Sequence, residues 1–278
     1  MGILGDSSPY AEMNKLLHHP IIKSILFWVL FVLSLNVGYI VSSFLPEGLR
    51  HYGLGVLGTL FAAGLTYGAL KLEGRTFRDI GLRWEALTLP RFLGGFAGGA
   101  VVFGLIIAGI VLLTPMKLVM APSPDLSGAL VVATLALIPQ AWMEEVAFRG
   151  YPLVVLEKQY GVRTAIYAGG FAFAMYHFIP AGNLVGALLG TGIWGIAYGY
   201  MAIRTGGIAF PVGFHYALNL SQAVTGMKAP YPALWQLREA DATPEAAPFT
   251  MDQVGLGAQL IVLVACVVLI ELMVRGRR

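Results

Sequence analysis

Long apolar runs, broken by short polar stretches, are the dominant pattern along this chain. Eight segments, at roughly 21–45, 52–72, 91–114, 128–149, 163–179, 184–203, 207–226 and 256–274, are long enough to cross or nearly cross a bilayer. They predict an all-α polytopic membrane protein of about eight transmembrane helices. Pro139 should kink the fourth helix, because it removes a backbone donor and crowds the carbonyl of Leu135. Apolar periodicity in "GYPLVVLEKQYG" carries that helix on to about Glu157, ahead of a turn at Tyr160 and Gly161.

The polar stretches carry their own expectations. "LEGRTFRDIGLRWEALTLPR", between the second and third segments, is amphipathic and basic and contains Trp84, so it is expected to lie along the membrane interface. Residues 228–255, with Pro230, Pro232, Pro244 and Pro248, read as a polar spacer rather than a lid. Gly94, Gly98, Gly186, Gly190, Gly195 and Gly199 fall in small-xxx-small spacing, which predicts close helix packing. The first apolar run is too long for the core of a signal peptide and lacks a small-residue cleavage site, so it is expected to be retained.

Composition sharpens this picture. The 278 residues are 57% hydrophobic and only 12% charged, where soluble domains are about a quarter charged. The expectation is one integral membrane domain over 1–278. A formal net charge of +3, without a basic cluster interleaved with aromatics, argues against nucleic acid as a partner. The lone Cys266 lies in the last apolar run and reads as a small packing residue. With eight spans, both termini share one side, and all but four of the 18 Lys and Arg residues fall there. Only Arg50, Lys117, Lys228 and Arg238 fall opposite. Such a bias predicts cytoplasmic termini in a cell inner or plasma membrane.

Candidate chemistry begins at "WMEEVAFRG", where two glutamates and an arginine sit in apolar surroundings that make an ionised carboxylate costly. Consecutive helical residues point about 100° apart, so Glu144 and Glu145 cannot share one task. Glu145 has Arg149 at i+4, in the favourable orientation for an ion pair. Glu144 has Phe148 at that position and no local neutralising group, which leaves it for chemistry. His18, His19 and His51 lie at membrane edges, whereas His177 and His215 lie within apolar segments. Glu144 is 16 residues before the Tyr160–Gly161 turn and His177 is 16 after it, so an antiparallel pair would bring them to equal depth. His215 and Asn219 are i and i+4 on one helix face. A carboxylate beside an imidazole can take a proton from water, while a second imidazole and a carboxamide can stabilise an oxyanion.

"EEVAFR" fits EExxxR, "FAMYH" fits FxxxH, and "HYALN" fits HxxxN. In that order, on apolar segments, they resemble the CPBP family of intramembrane glutamic endopeptidases, which includes the type II CAAX prenyl proteases. The resemblance covers 128–226, the expected catalytic core. It implies hydrolysis of a peptide bond in a membrane-associated peptide or protein, within a polar cavity in the bilayer. It also implies that Glu144 and His177 activate water, while His215 and Asn219 form an oxyanion hole. Glu145 and Arg149 would be supporting residues, and Phe173 a packing wall. No cofactor is implied.

Three alternatives stay open at this point. One glutamate and two histidines are also a zinc-binding set, although no HExxH spacing is present. The same ionisable residues could relay protons or ions in a transporter. A peptide-toxin immunity protein acting by binding alone is a third class.

Overall fold

The computed structural model describes residues 19–240 and 248–277. His18 and Pro244 lie outside the described residues. Helix α1 is Pro20–Ser43, α2 Arg50–Leu72, α3 Thr88–Leu113, and α4 Ala133–Arg149. Helix α5 is Tyr151–Ala181, α6 Leu184–Thr205, α7 Ala209–Val224, and α8 Met251–Arg275. Wide π-type turns at Gly128–Val132 and Ala187–Gly192 lead into α4 and form the early part of α6.

Among the described residues, six helices are long and apolar enough to cross a membrane, so the chain is an integral membrane protein of all-α type. The expected count of eight spans is not reached for two local reasons. Residues Gly128–Ala181 form one 54-residue run across their breaks, and α7 has only 16 residues. The first break comes at Gly150 (φ −81°, ψ −116°), earlier than the expected end near Glu157. The second falls at Gly161 (φ 82°, ψ 174°), a left-handed φ that glycine adopts readily, beside the expected turn.

Apolar sequence surrounds every helix, so burial is sorted by stripes rather than by hydrophobicity. On α1, Phe27, Phe31, Leu35, Gly38 and Ser42 form one buried face, while the other faces expose Leu, Ile and Val. Helix α8 buries only Cys266 and Ile270. By contrast, α4 buries Met143 and Glu145 through Arg149, and α7 buries Pro211 through Leu218. These two helices form the centre, and both carry motif residues.

Backbone-to-backbone contact fixes α7 against α3. A Cβ added at Gly213 would lie 2.0 Å from the Phe92 carbonyl oxygen, and one at Gly95 would lie 2.1 Å from that of Phe210. The small-residue stripe is therefore Gly95 and Gly99, one position out of phase with the expected Gly94 and Gly98, which face only the Phe210 and Phe214 rings. Gly190 meets nothing and Gly186 meets its own Asn183, whereas a Cβ at Gly195 would sit 3.0 Å from Gly170 Cα. Only the last of these joins two helices, α6 and α5.

Within the stretch expected at the interface, Phe77–Ile80 makes one short 3-10 turn, capped by Thr76 and Asp79 and stopped by Gly81 (φ 73°). Residues 228–255 are more than a spacer. Strand β2, Trp235–Glu239, pairs antiparallel with β1, Met116–Met120, in the register Met116–Glu239 to Met120–Trp235. Neither strand was anticipated.

Ion pairs tie the bundle ends. Glu73, just beyond α2, accepts from Lys23 Nζ on α1 (2.6 Å) and from the Tyr151 hydroxyl on α5 (2.7 Å). Burial acts to raise the Glu73 pKa, but hydrogen bonds from Lys23 and Tyr151 prevail and hold it below its ordinary 4.5. Arg163 Nε on α5 donates to Glu271 Oε1 on α8 at 2.6 Å.

Candidate active site

Helix α4 carries Glu144, Glu145 and Arg149 into the centre of the bundle. Glu145 is fully buried. Its Oε1 is 3.4 Å from Arg149 Nη1 and accepts a 2.9 Å hydrogen bond from His215 Nδ1 on α7. The second glutamate therefore holds both its local arginine and a histidine from another helix. An ionised carboxylate only accepts, so Nδ1 of His215 carries the hydrogen, and Nε2 is directed elsewhere. That nitrogen lies 3.7 Å from Glu144 Oε2, too long for a direct hydrogen bond.

Arg149 is almost as buried as Glu145, and its charge is met on several sides. Nη2 donates to the Gly195 carbonyl at 3.0 Å. Its guanidinium carbon stands 4.4 Å from the Phe173 ring centroid and 5.1 Å from that of Tyr198. Cation–π contacts of this kind gain strength when desolvated. The close approach of α5 and α6 at Gly195 puts that carbonyl within reach.

Glu144 is less enclosed, with 12% of its side chain accessible. Besides His215, its neighbour is Tyr176, whose hydroxyl donates to Oε1 at 3.4 Å. The first of these, to Tyr176, is at the long limit of hydrogen bonding, and the His215 distance is beyond it. Its contacts are thus Tyr176 and His215 rather than His177 directly. His177 follows Tyr176 on α5, and the two rings meet edge to face at 4.7 Å between centroids. His177 Nδ1 donates to the Phe173 carbonyl at 3.0 Å, which makes Nε2 the nitrogen with the lone pair.

Phe173 packs edge to face against His177 at 4.5 Å and lies 6.2 Å from the His215 ring. Tyr198 on α6 stacks on His215 at 4.8 Å and 16°. The sequence reading missed both tyrosines. Tyr176 was adjacent to a motif histidine, and Tyr198 belongs to an aromatic run, "WGIAYGY", that carried no motif.

A cavity of about 490 Å³ opens beside this group, lined by His177, His215, Asn219, Phe173 and Tyr198, and also by Lys228 and Asp252. Asn219, one turn beyond His215, accepts at Oδ1 from Lys228 Nζ at 3.1 Å. The polar groups thus belong to α4, α5 and α7, with α6 stacking behind and α8 closing one wall. Among the described residues, no group of three or more His, Cys, Asp or Glu side chains is arranged to hold a metal ion.

The arrangement has the components of a hydrolytic site: a carboxylate on Glu144, and an imidazole with an available lone pair and donors from a second helix that line the neighbouring cavity. Among curated proteins and solved structures, nothing matches this chain. Residues 126–221 match the sequence model of the Rce1-like family, described as type II CAAX prenyl endopeptidase Rce1-like. That segment runs from just before α4 to the last turn of α7 and contains every motif residue. Over that segment, within a polytopic helical fold, the chain is similar to the CAAX-type intramembrane proteases.

Proposed function

We propose that this protein cleaves a peptide bond of a membrane-associated peptide or protein by attack of water, using Glu144 and His177 as the activating pair. The observation that carries the reading is the cluster in which His215 is hydrogen-bonded to Glu145 at 2.9 Å and stands 3.7 Å from Glu144, beside a cavity lined by His177, His215 and Asn219. Water placed among Glu144, His177 and the scissile carbonyl gives a proton to the Glu144 carboxylate. Its oxygen bonds to the carbonyl carbon, and the carbonyl π electrons move onto oxygen. Asn219 and His215 donate hydrogen bonds to that oxyanion, an interaction worth about 10²–10³-fold in rate per donor. Collapse re-forms the carbonyl and breaks the C–N bond, while the Glu144 acid returns its proton to the departing amine.

Donation from His215 Nε2 requires both ring nitrogens to be protonated. The carboxylates of Glu145 and Glu144 supply the compensating charge. Glu145 therefore orients and balances His215, and Arg149 in turn balances Glu145. Phe173 walls the site between them. In this reading residues 128–226 are the catalytic core of one membrane domain, and the cation bias of the sequence favours cytoplasmic termini.

Purified protein mixed with a library of membrane-tethered peptides tests this reading. Cleavage by wild type that survives a strong chelator and disappears in Glu144→Ala supports it. Activity abolished by chelator and restored by zinc moves the chemistry to a metal, and undiminished cleavage by Glu144→Ala removes the glutamate from it.

A further inference from the structure

We infer that Lys228 is a positioning residue that sets the orientation of the Asn219 carboxamide; this rests on the proposed role of Asn219 at the oxyanion. The Lys228 ammonium has three donors and no acceptor, so the amide atom facing it at 3.1 Å must be oxygen. The planar carboxamide then turns its NH₂ to the opposite side. Both residues line the cavity shared by His177 and His215. Without a donor-only partner, Asn219 can rotate and present its oxygen to the developing oxyanion, where it would repel charge rather than stabilise it.

The lysine is held in place by built structure. After α7 the chain reverses at Gly226 (φ 72°), with Gly226 N–H donating to the Ala223 carbonyl at 3.0 Å and Met227 N–H to that of Gln222 at 2.8 Å. A Cβ at Gly226 would lie 3.3 Å from the Trp235 carbonyl oxygen, so the turn is also packed against β2. Leu234 N–H donates to the Val224 carbonyl at 2.8 Å and closes this loop. A lysine nine positions beyond Asn219 is thereby folded back over the end of its own helix.

The ionisable groups around it are Glu144 on α4, His177 on α5, His215 on α7 and Asp252 on α8. Burial lowers the Lys228 pKa, and the charge of Glu144 acts the other way. As pH rises through this lowered value, the ammonium becomes an amine that can accept as well as donate. The constraint on Asn219 is lost there.

The experiment uses the full-length protein and a peptide that wild type cleaves. Lys228→Met is expected to reduce kcat by about 10-fold or more, with KM changed by less than about threefold. It should add little to the loss caused by Asn219→Ala. Lys228→Arg, a donor-only side chain that stays charged, should recover much of the rate and carry the alkaline limb of kcat to higher pH. Unchanged kcat in Lys228→Met, fully multiplicative losses with Asn219→Ala, or no rescue by arginine would overturn the inference.

A second measurement needs no catalysis, and so separates this inference from the proteolytic reading. The pH dependence of Lys228 acylation is followed by mass spectrometry in wild type and Asn219→Ala. Faster labelling, with a shifted midpoint, is expected in the variant. Identical labelling profiles would show that the two side chains are not coupled in the folded protein.

Discussion

Glu145 Oε1 accepts from His215 Nδ1 at 2.9 Å, so the glutamate paired with Arg149 also fixes the imidazole of another helix. Replacing Glu145 by Gln leaves an oxygen that can still accept from both partners at the Oε1 position but removes the negative charge that balances Arg149 and a protonated His215. The expected result is a loss of about 10²–10⁴-fold in kcat with little change in KM. Glu145→Ala strands the buried arginine as well, which should cost about 3–5 kcal/mol in stability. Thermal melting in detergent beside steady-state kinetics separates these effects.

Glu144 gives the opposite signature. Its two polar contacts, at 3.4 Å and 3.7 Å, are too long to contribute much to folding. Glu144→Gln should therefore melt like wild type yet lose at least about 10²-fold in kcat, the usual scale for removing a general base. A large fall in melting temperature would instead make this residue structural.

The seam between α3 and α7 offers a steric test. Gly213→Ala puts a methyl 2.0 Å from the Phe92 carbonyl, where only backbone movement can relieve it. A loss of about 1–3 kcal/mol is expected. Gly104→Ala on α3 meets nothing within 4 Å and is the matched control. Its stability should stay level or rise by about 0.5–1 kcal/mol, because alanine restricts the unfolded chain. Activity should fall along with stability in Gly213→Ala, since α7 carries His215 and Asn219.

Acid stability should report on Glu73. Its carboxyl is held below the ordinary 4.5 in the folded protein, chiefly by Lys23 and Tyr151 once burial is overcome. Its stabilising contribution is complete above pH 4.5 and is lost as pH falls through the lowered folded value. Melting temperatures measured from pH 7 downwards should fall more steeply for wild type than for Glu73→Gln. Parallel curves would remove Glu73 from the acid response.

Much of the organisation was legible because membrane helices announce themselves by length and composition, and Gly161 marks its turn by the one residue suited to a left-handed φ. The motif spacings placed Glu144, His177, His215 and Asn219 on three helices. Helical arithmetic could not reveal that Glu145 reaches His215, because i to i+4 reasoning sees only partners on the same helix. The glycine stripe was misjudged by one position because Gly94–Gly98 and Gly95–Gly99 satisfy the same spacing, and only the path of α7 selects between them. The strands were hidden for a different reason. Five-residue segments in two separate loops carry little periodic signal, and their pairing joins positions far apart in the chain.

That pairing has a consequence for how the protein is made. Strand β1 comes before α4 and β2 after α7, so the ladder from Met116 to Glu239 clasps the two ends of the motif-bearing segment. During synthesis β1 must wait, unpaired, while four helices are threaded into the bilayer, and it acquires its partner only when residue 239 has emerged. Closure of this long-range contact is necessarily late. The sheet thus acts as a completion mark, because the turn that carries Lys228 is locked over the cavity only after every motif helix has been delivered to the membrane.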